Sequence, residues 1–157
     1  MLNVTGMSTI INPTTGRPHH WIERLNNAFR DLRKQGFVAR QNFSCCGTCA
    51  WCELATMIGE RVTNGRVKVD AVRGVVFFHR QDAAHLDNDG GCFIAFGAVF
   101  VSELDRRVGD DAAESGRVVN ATFHRHGFNT IWDGNPDKRI YLIVDPAKHK
   151  HVNPYTG

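Results

Sequence analysis

Apolar positions recur along this chain with two different periods, and the switches between them divide it into elements. From Pro18 onward, Trp21, Leu25, Ala28 and Leu32 share one helical face with Ile22 and Phe29. Pro18 suits a first helical turn, and Gly36 supplies the left-handed residue that ends the helix. The next stretch, FVARQNF (37–43), reads as a short strand. A second helix opens in the cysteine-rich stretch that follows, with Ser44 or Thr48 as its cap. Its stripe is Trp51, Leu54, Ala55, Ile58 and Val62, and Asn64–Gly65 stops it. RVKVDAVRG (66–74) alternates only weakly. GVVFFH (74–79) and CFIAFGAVFV (92–101) are apolar at successive positions, as strands covered on both faces are. A third helix is punctuated by Asp111 and Glu114 in a D-x-x-E capping box, with Val119 and Phe123 on its apolar face. Gly127 ends it, and Phe128 is placed to pack back on Phe123. FNTIW (128–132) and KRIYLIV (138–144) form a hairpin across DGNPD.

The order α-β-α-β-β-α-β-β predicts an α+β domain: a mostly antiparallel sheet of about four to five strands with helices packed on one face. Residues 1–18 read as an irregular arm, 19–146 as the α+β domain and 147–157 as a C-terminal tail. The length of 157 residues, 42% of them apolar and 22% charged, suits one domain with a real core. The net charge of +3 is scattered apart from KHKH (148–151), so nucleic acid is not an expected partner. The start lacks a basic front and a sustained apolar run, and the longest apolar run is strand-length. A soluble cytoplasmic protein without a membrane segment is expected. Five cysteines is an odd number, and in a reducing compartment a disulfide framework is not expected. Metal or thiol chemistry gains weight.

Four of the five cysteines lie in CCGTCAWC (45–52). Cys45, Cys49 and Cys52 have the C-x3-C-x2-C spacing of the radical-SAM iron–sulfur motif, but that chemistry sits on a much larger barrel than this chain can build. Cys46 and Cys49 form a C-x2-C pair, and a helix N-terminus would favour its thiolate. A redox pair of that kind should face a cis-proline loop, and no proline lies between residues 18 and 136. Zinc needs three or four ligands, and two cysteines from Cys45, Cys46 and Cys49 could be joined by His79, His85 or Cys92. Cys52, between Trp51 and Leu54, and Cys92, at the start of an apolar strand, are expected in the core. After the buried run GVVFF come His79, Gln81, Asp82 and His85 at a strand end, where a rigid scaffold aims side chains. Asp82 before AAHL could also cap a short helix, and His85 is expected at the surface. Trp132–Asp133–Gly134 reads either as a third polar segment of a site or as a turn with Trp132 packed on the core.

Together, QNFSCCGTCAW, VVFFHRQDAAHL and IWDGNPDKRIYL resemble an uncharacterised bacterial family, with members also in phages, known only as a domain of unknown function. Its pattern is a CC-x2-C segment, an F-(F/Y)-H-x-Q-D segment and a W-D-G hairpin. The resemblance covers roughly residues 20–145. It implies a site made of Cys45, Cys46, Cys49, His79, Gln81, Asp82, Trp132 and Asp133, and it implies no reaction. Cys52 falls outside the pattern.

Two functions are compatible with these residues. One is a binding module that takes a small ligand, a peptide, a protein partner or a zinc ion in a pocket lined by Cys, His and Asp. Cys45, Cys46, Cys49 and His79 would hold the metal, and Gln81 and Trp132 would touch a ligand. The other is a thiol- or zinc-dependent hydrolase or transferase. In it Cys46 or Cys49 is the nucleophile, His79 the base and Asp82 or Asp133 the group that orients it. A third reading, suggested by the phage members, is a protein that binds a host component or a nucleotide signal. Arg17, Arg40, Arg61 and Arg66 could then contact phosphate, though scattered arginines ordinarily serve solubility.

Overall fold

In the computed structural model, residues 20–149 are described. The predicted arm and the end of the tail lie outside them. The elements are α1 (Trp21–Lys34), β1 (Phe37–Arg40), α2 (Gly47–Thr63), β2 (Gly74–Phe77), α3 (Arg80–Asp89) and β3 (Gly91–Gly97). They continue with β4 (Val99–Val101), β5 (Arg106–Val108), α4 (Ala112–Arg125), β6 (Asn129–Ile131) and β7 (Ile140–Ile143). Five strands form one sheet in the order β1-β2-β3-β7-β6, and β4 and β5 form a separate two-stranded ribbon. The class is α+β, as the pattern predicts. All pairs in the main sheet are antiparallel except β1 with β2, which run parallel with Val38 opposite Val75. A parallel pair needs a long crossover, and α2 supplies it.

The sheet is covered on both faces, not one. Along β2, successive side chains point to opposite sides. Val76, with Phe78 just beyond the strand, joins Trp21, Leu25 and Phe29 of α1 and Val119 and Phe123 of α4. Val75 and Phe77 join Ala50, Leu54 and Ile58 of α2. The unbroken apolar run GVVFF is the sequence trace of this double cover. Phe29 sits edge-on to Phe78 with ring centroids 5.7 Å apart, an arrangement worth about 0.5–1.5 kcal/mol beyond the area it buries.

Three local predictions change. The run 92–101 is two strands, because Gly97 takes φ +141° and the chain leaves the main sheet there for the ribbon. Residues 66–73, where weak alternation leaves a strand open, form none; Val69–Ala71 is a single 3-10 turn and β2 begins at Gly74. A helix missing from the predicted order, α3, follows β2. His79 is its cap, with Asp82 at the third helical position, and Gly90 at φ +71° ends it. Only Asp82 and Leu86 of α3 are buried, so it carried almost no apolar period to detect. At α4, Asp111 accepts from the backbone N–H groups of Ala113 and Glu114 as its cap, while Glu114 pairs with Arg117. Phe128 N–H donates to the Phe123 carbonyl at 3.0 Å and the two rings meet, closing the helix as expected. Among the described residues no helix is long and apolar enough to cross a membrane.

The β6–β7 hairpin is fastened to α4 at Gly116. A Cβ there would lie 2.7 Å from the Trp132 ring and 2.8 Å from Phe96, and those two rings already meet edge-on at 5.7 Å. Gly116→Ala gains roughly 1 kcal/mol of helix propensity but forces this aromatic contact apart, at about 1–3 kcal/mol. The expected result is a net loss of stability and a lower urea midpoint; an unchanged or raised midpoint would show that Trp132 yields freely.

Candidate functional site

The parallel pairing of β1 and β2 brings two helix starts to one edge of the sheet. Each strand leads at its C-terminal end into a helix, β1 through a loop into α2 and β2 directly into α3. The loop is tied to the β2–α3 junction: Phe43 N–H donates to the Phe78 carbonyl at 2.9 Å, and Arg80 N–H to the Ser44 carbonyl at 3.1 Å. Asn42 (φ 50°) and Ser44 (φ 66°) take left-handed conformations to make these ties, which non-glycine residues seldom do outside sites that over-determine them.

Cys45, Cys46 and Cys49 emerge from this loop and the first turn of α2. Their three sulfurs all lie within 4.8 Å of one another, with Cys45 and Cys46 3.9 Å apart. Cys46 is the N-cap in extended conformation and Cys49 the third helical residue, positions whose side chains face each other across the first turn. Neither Ser44 nor Thr48 is the cap. No side-chain hydrogen bond caps the helix, but its unpaired amides still act on the Cys46 sulfur. The Cys49 amide, then the Cys49 thiol and the Cys45 thiol, pull the Cys46 pKa below that of an ordinary thiol, against slight desolvation. Cys49 moves the other way. Its thiol interacts with the Cys45 and Cys46 sulfurs and feels their charge, and its pKa is pushed up to about 12. Cys46 and Cys49 are thus set apart, one eased toward the thiolate and the other held protonated.

Cys52 does not belong to the triad and is not in the core. Ala50, Leu54 and Ile58 define the inward direction of α2, and Cys52, two residues from both Ala50 and Leu54, points to solvent. Cys92 is buried in β3 as expected, its thiol raised well above the usual range by burial and then by the Asp82 charge.

His79 stands beside the first turn of α2. A Cβ on Gly47 would lie 3.9 Å from His79 Cδ2. The imidazole nitrogens, however, are turned to Asp82. Nδ1 accepts from the Asp82 N–H at 3.3 Å, and Nε2 lies 3.1 Å from Oδ2. Asp82 in turn accepts from the His79 N–H at 3.3 Å, completing a reciprocal cap, and Arg139 approaches its other oxygen at 3.6 Å. Both residues are buried, so this is a closed arrangement in which neither ring nitrogen is presented to a thiol. Gln81, next along α3, is exposed, and His85 pairs at the surface with Asp89 at 2.7 Å.

The third predicted segment lies in the hairpin. Trp132 Nε1 donates to the carbonyls of Asn135 (3.0 Å) and Lys138 (3.2 Å). Asp133 accepts from the Asn135 N–H at 2.9 Å and the Lys138 ammonium at 3.2 Å, which together hold its carboxyl below the usual range. The partners of both residues are the turn and the ring of Phe96. Arg139, beside Asp82, and Arg80 carried no sequence signal as site residues, while Arg40 reads as a candidate phosphate contact. Arg40 and Arg80 line a cavity of about 510 Å³ with Cys45, Ser44 and Glu53.

A family described as Domain of unknown function (DUF6891) matches residues 19–148, and the chain belongs to it. No curated protein and no solved structure matches the chain.

The thiol environments predict an order of alkylation. In the folded protein at neutral pH, iodoacetamide should modify Cys46 ahead of Cys49, whose proton is held, and Cys92 only after unfolding. Peptide mapping by mass spectrometry against time checks this. Equal rates at Cys46 and Cys49 would contradict the opposite shifts of these two thiols.

Proposed function

Because the family to which the chain belongs carries no assigned activity, we propose a function from the site alone: Cys45, Cys46 and Cys49 bind a zinc ion. The observation that carries this reading is the convergence of three sulfurs within 4.8 Å. A tetrahedral ion with Zn–S bonds of about 2.3 Å holds its sulfurs roughly 3.8 Å apart. The Cys45–Cys46 separation of 3.9 Å already fits, and the full triad needs only a small contraction. Thiolates are the soft, charged ligands zinc takes. The start of α2 favours the single negative charge left when three thiolates meet a divalent cation. With the His79 nitrogens committed to Asp82, the fourth position falls to a small ligand or water from outside. The domain is read as a binding module whose occupant completes the metal.

A thiol-dependent hydrolase or transferase is the second reading, favoured by the depressed pKa of Cys46. It lacks a base as the imidazole now stands, so it requires His79 to leave Asp82. The two readings separate under chelation, which would abolish zinc-dependent binding and leave a thiolate nucleophile free.

Untagged protein should contain about one zinc per chain by elemental analysis. Cys45→Ser, Cys46→Ser and Cys49→Ser should each lower affinity by about tenfold or more, whereas Cys52→Ser and His79→Ala should leave the metal content unchanged. Binding must displace the proton held on Cys49, so affinity falls as pH falls and proton release accompanies loading. Metal content near zero, or insensitive to the three substitutions, would sink the reading.

A further inference from the structure

The cavity beside the triad has an electrostatic imbalance that the metal reading does not use. Its walls are the loop Gln41–Cys45, the end of β1 at Arg40, Glu53 of α2 and the first residue of α3, Arg80. Its volume of about 510 Å³ suits a small molecule. We propose that it binds a small oxyanion-bearing molecule, a carboxylate or a phosphate ester, held between Arg40 and Arg80.

Arg40 is half-buried, and the groups it touches are not anions. One guanidinium N–H donates to the Ala39 carbonyl at 3.1 Å and another reaches the Met57 thioether at 3.5 Å. Two further arginines stand near it, Arg61 from the last turns of α2 and Arg33 from the end of α1. Burial, then the charge of Arg61, then that of Arg33, all work against its own charge. Arginine stays protonated under such pressure, so the strain is relieved by a counter-charge and not by losing the proton. Among the described residues no carboxylate lies within ion-pair distance of Arg33, Arg40, Arg61 or Arg80. Arg80 is exposed and lines the same cavity, and among the described residues its side chain has no hydrogen-bond or ion-pair partner.

Part of this arrangement has a bland explanation. β1 is an edge strand, and both Arg33 and Arg40 donate to its Ala39 carbonyl, as cations guarding a sheet edge do. That explains Arg33 and one N–H of Arg40. It leaves the rest of the Arg40 fork without an anion, and it does not concern Arg80, which belongs to another element. The one carboxylate in the lining, Glu53, accepts from the Ser44 hydroxyl at 3.2 Å and is held toward the loop. Two guanidiniums against one carboxylate leave the lining positive, and planar forks favour the paired oxygens of a carboxylate or phosphate. Cys45 also lines the cavity, while Cys46 and Cys49 do not. The site stands on its arginines alone and would exist without metal.

Calorimetric titration of the metal-free full chain with inorganic phosphate and, separately, with succinate tests it. Saturable one-site binding by either probe, weaker at high salt, is expected, and the preferred probe identifies which oxyanion the site takes. Arg80→Gln, at an exposed position that leaves the fold intact, and Arg40→Gln should each weaken binding by about tenfold or more. Cys46→Ser should remove zinc while leaving anion binding unchanged, so failure of the metal reading and failure of this one are distinguishable. Absence of saturable binding by both probes up to about 20 mM, or affinity unchanged in Arg80→Gln, would overturn the proposal.

Discussion

The parallel pairing of β1 with β2 is the constraint from which the rest of the structure follows. In an otherwise antiparallel sheet, this one pair obliges the chain to cross over through α2 and delivers two strand ends to the same edge. Each end opens into a helix, so two sets of unpaired amide donors lie side by side. The Phe43–Phe78 and Ser44–Arg80 backbone bonds lock the two starts together. Every residue of chemical interest on this edge, from Cys45 to Asp82, owes its position to that junction. An antiparallel β1 would have sent α2 and its cysteines to the other end of the sheet.

The two helix starts satisfy their donors differently. At α3, a buried histidine and aspartate cap each other and draw in Arg139, which closes the polar circuit. At α2, three sulfurs at or near the surface face one another, with the Cys46 thiol eased toward its thiolate and the Cys49 proton held. One junction therefore joins a finished structure to an unfinished one. The unfinished side is where the domain has capacity to bind.

Much of the architecture was legible in the sequence because amphipathic periods are dictated by burial. The face of α1, the double cover of GVVFF and the closure of α4 by Phe128 onto Phe123 all read correctly from residue types. The second face of the sheet was readable in the same apolar run but was assigned to one side. α3 was legible only as a short helix that Asp82 could cap, because its inward positions are Asp82 and Leu86 and a polar group at a core position erases the period; the cap is His79, with Asp82 at the third helical position. Cys52 shows the opposite error: flanking apolar residues suggested burial, while the phase set by Ala50 and Leu54 turns it outward. The grouping of Cys45, Cys46 and Cys49 was legible from the resemblance, but its geometric basis was not: Cys46, and neither Ser44 nor Thr48, is the N-cap that faces Cys49 at the third helical position. The imidazole orientation and the unmatched arginines depend on how separate elements meet, which no local pattern encodes.

The position of α2 has a dynamic consequence. It is the helix that covers the second face of the sheet, with the small β4–β5 ribbon beside it, and its inward residues fill that core. It cannot lift away without stripping Val75 and Phe77 of their cover. The first turn of α2, and the thiols on it, therefore ride on a segment whose opening is close to unfolding the whole domain. Its interior amides belong with the slowest-exchanging protons of the protein, and any occupant of the triad is held by a rigid wall, not by a hinged flap.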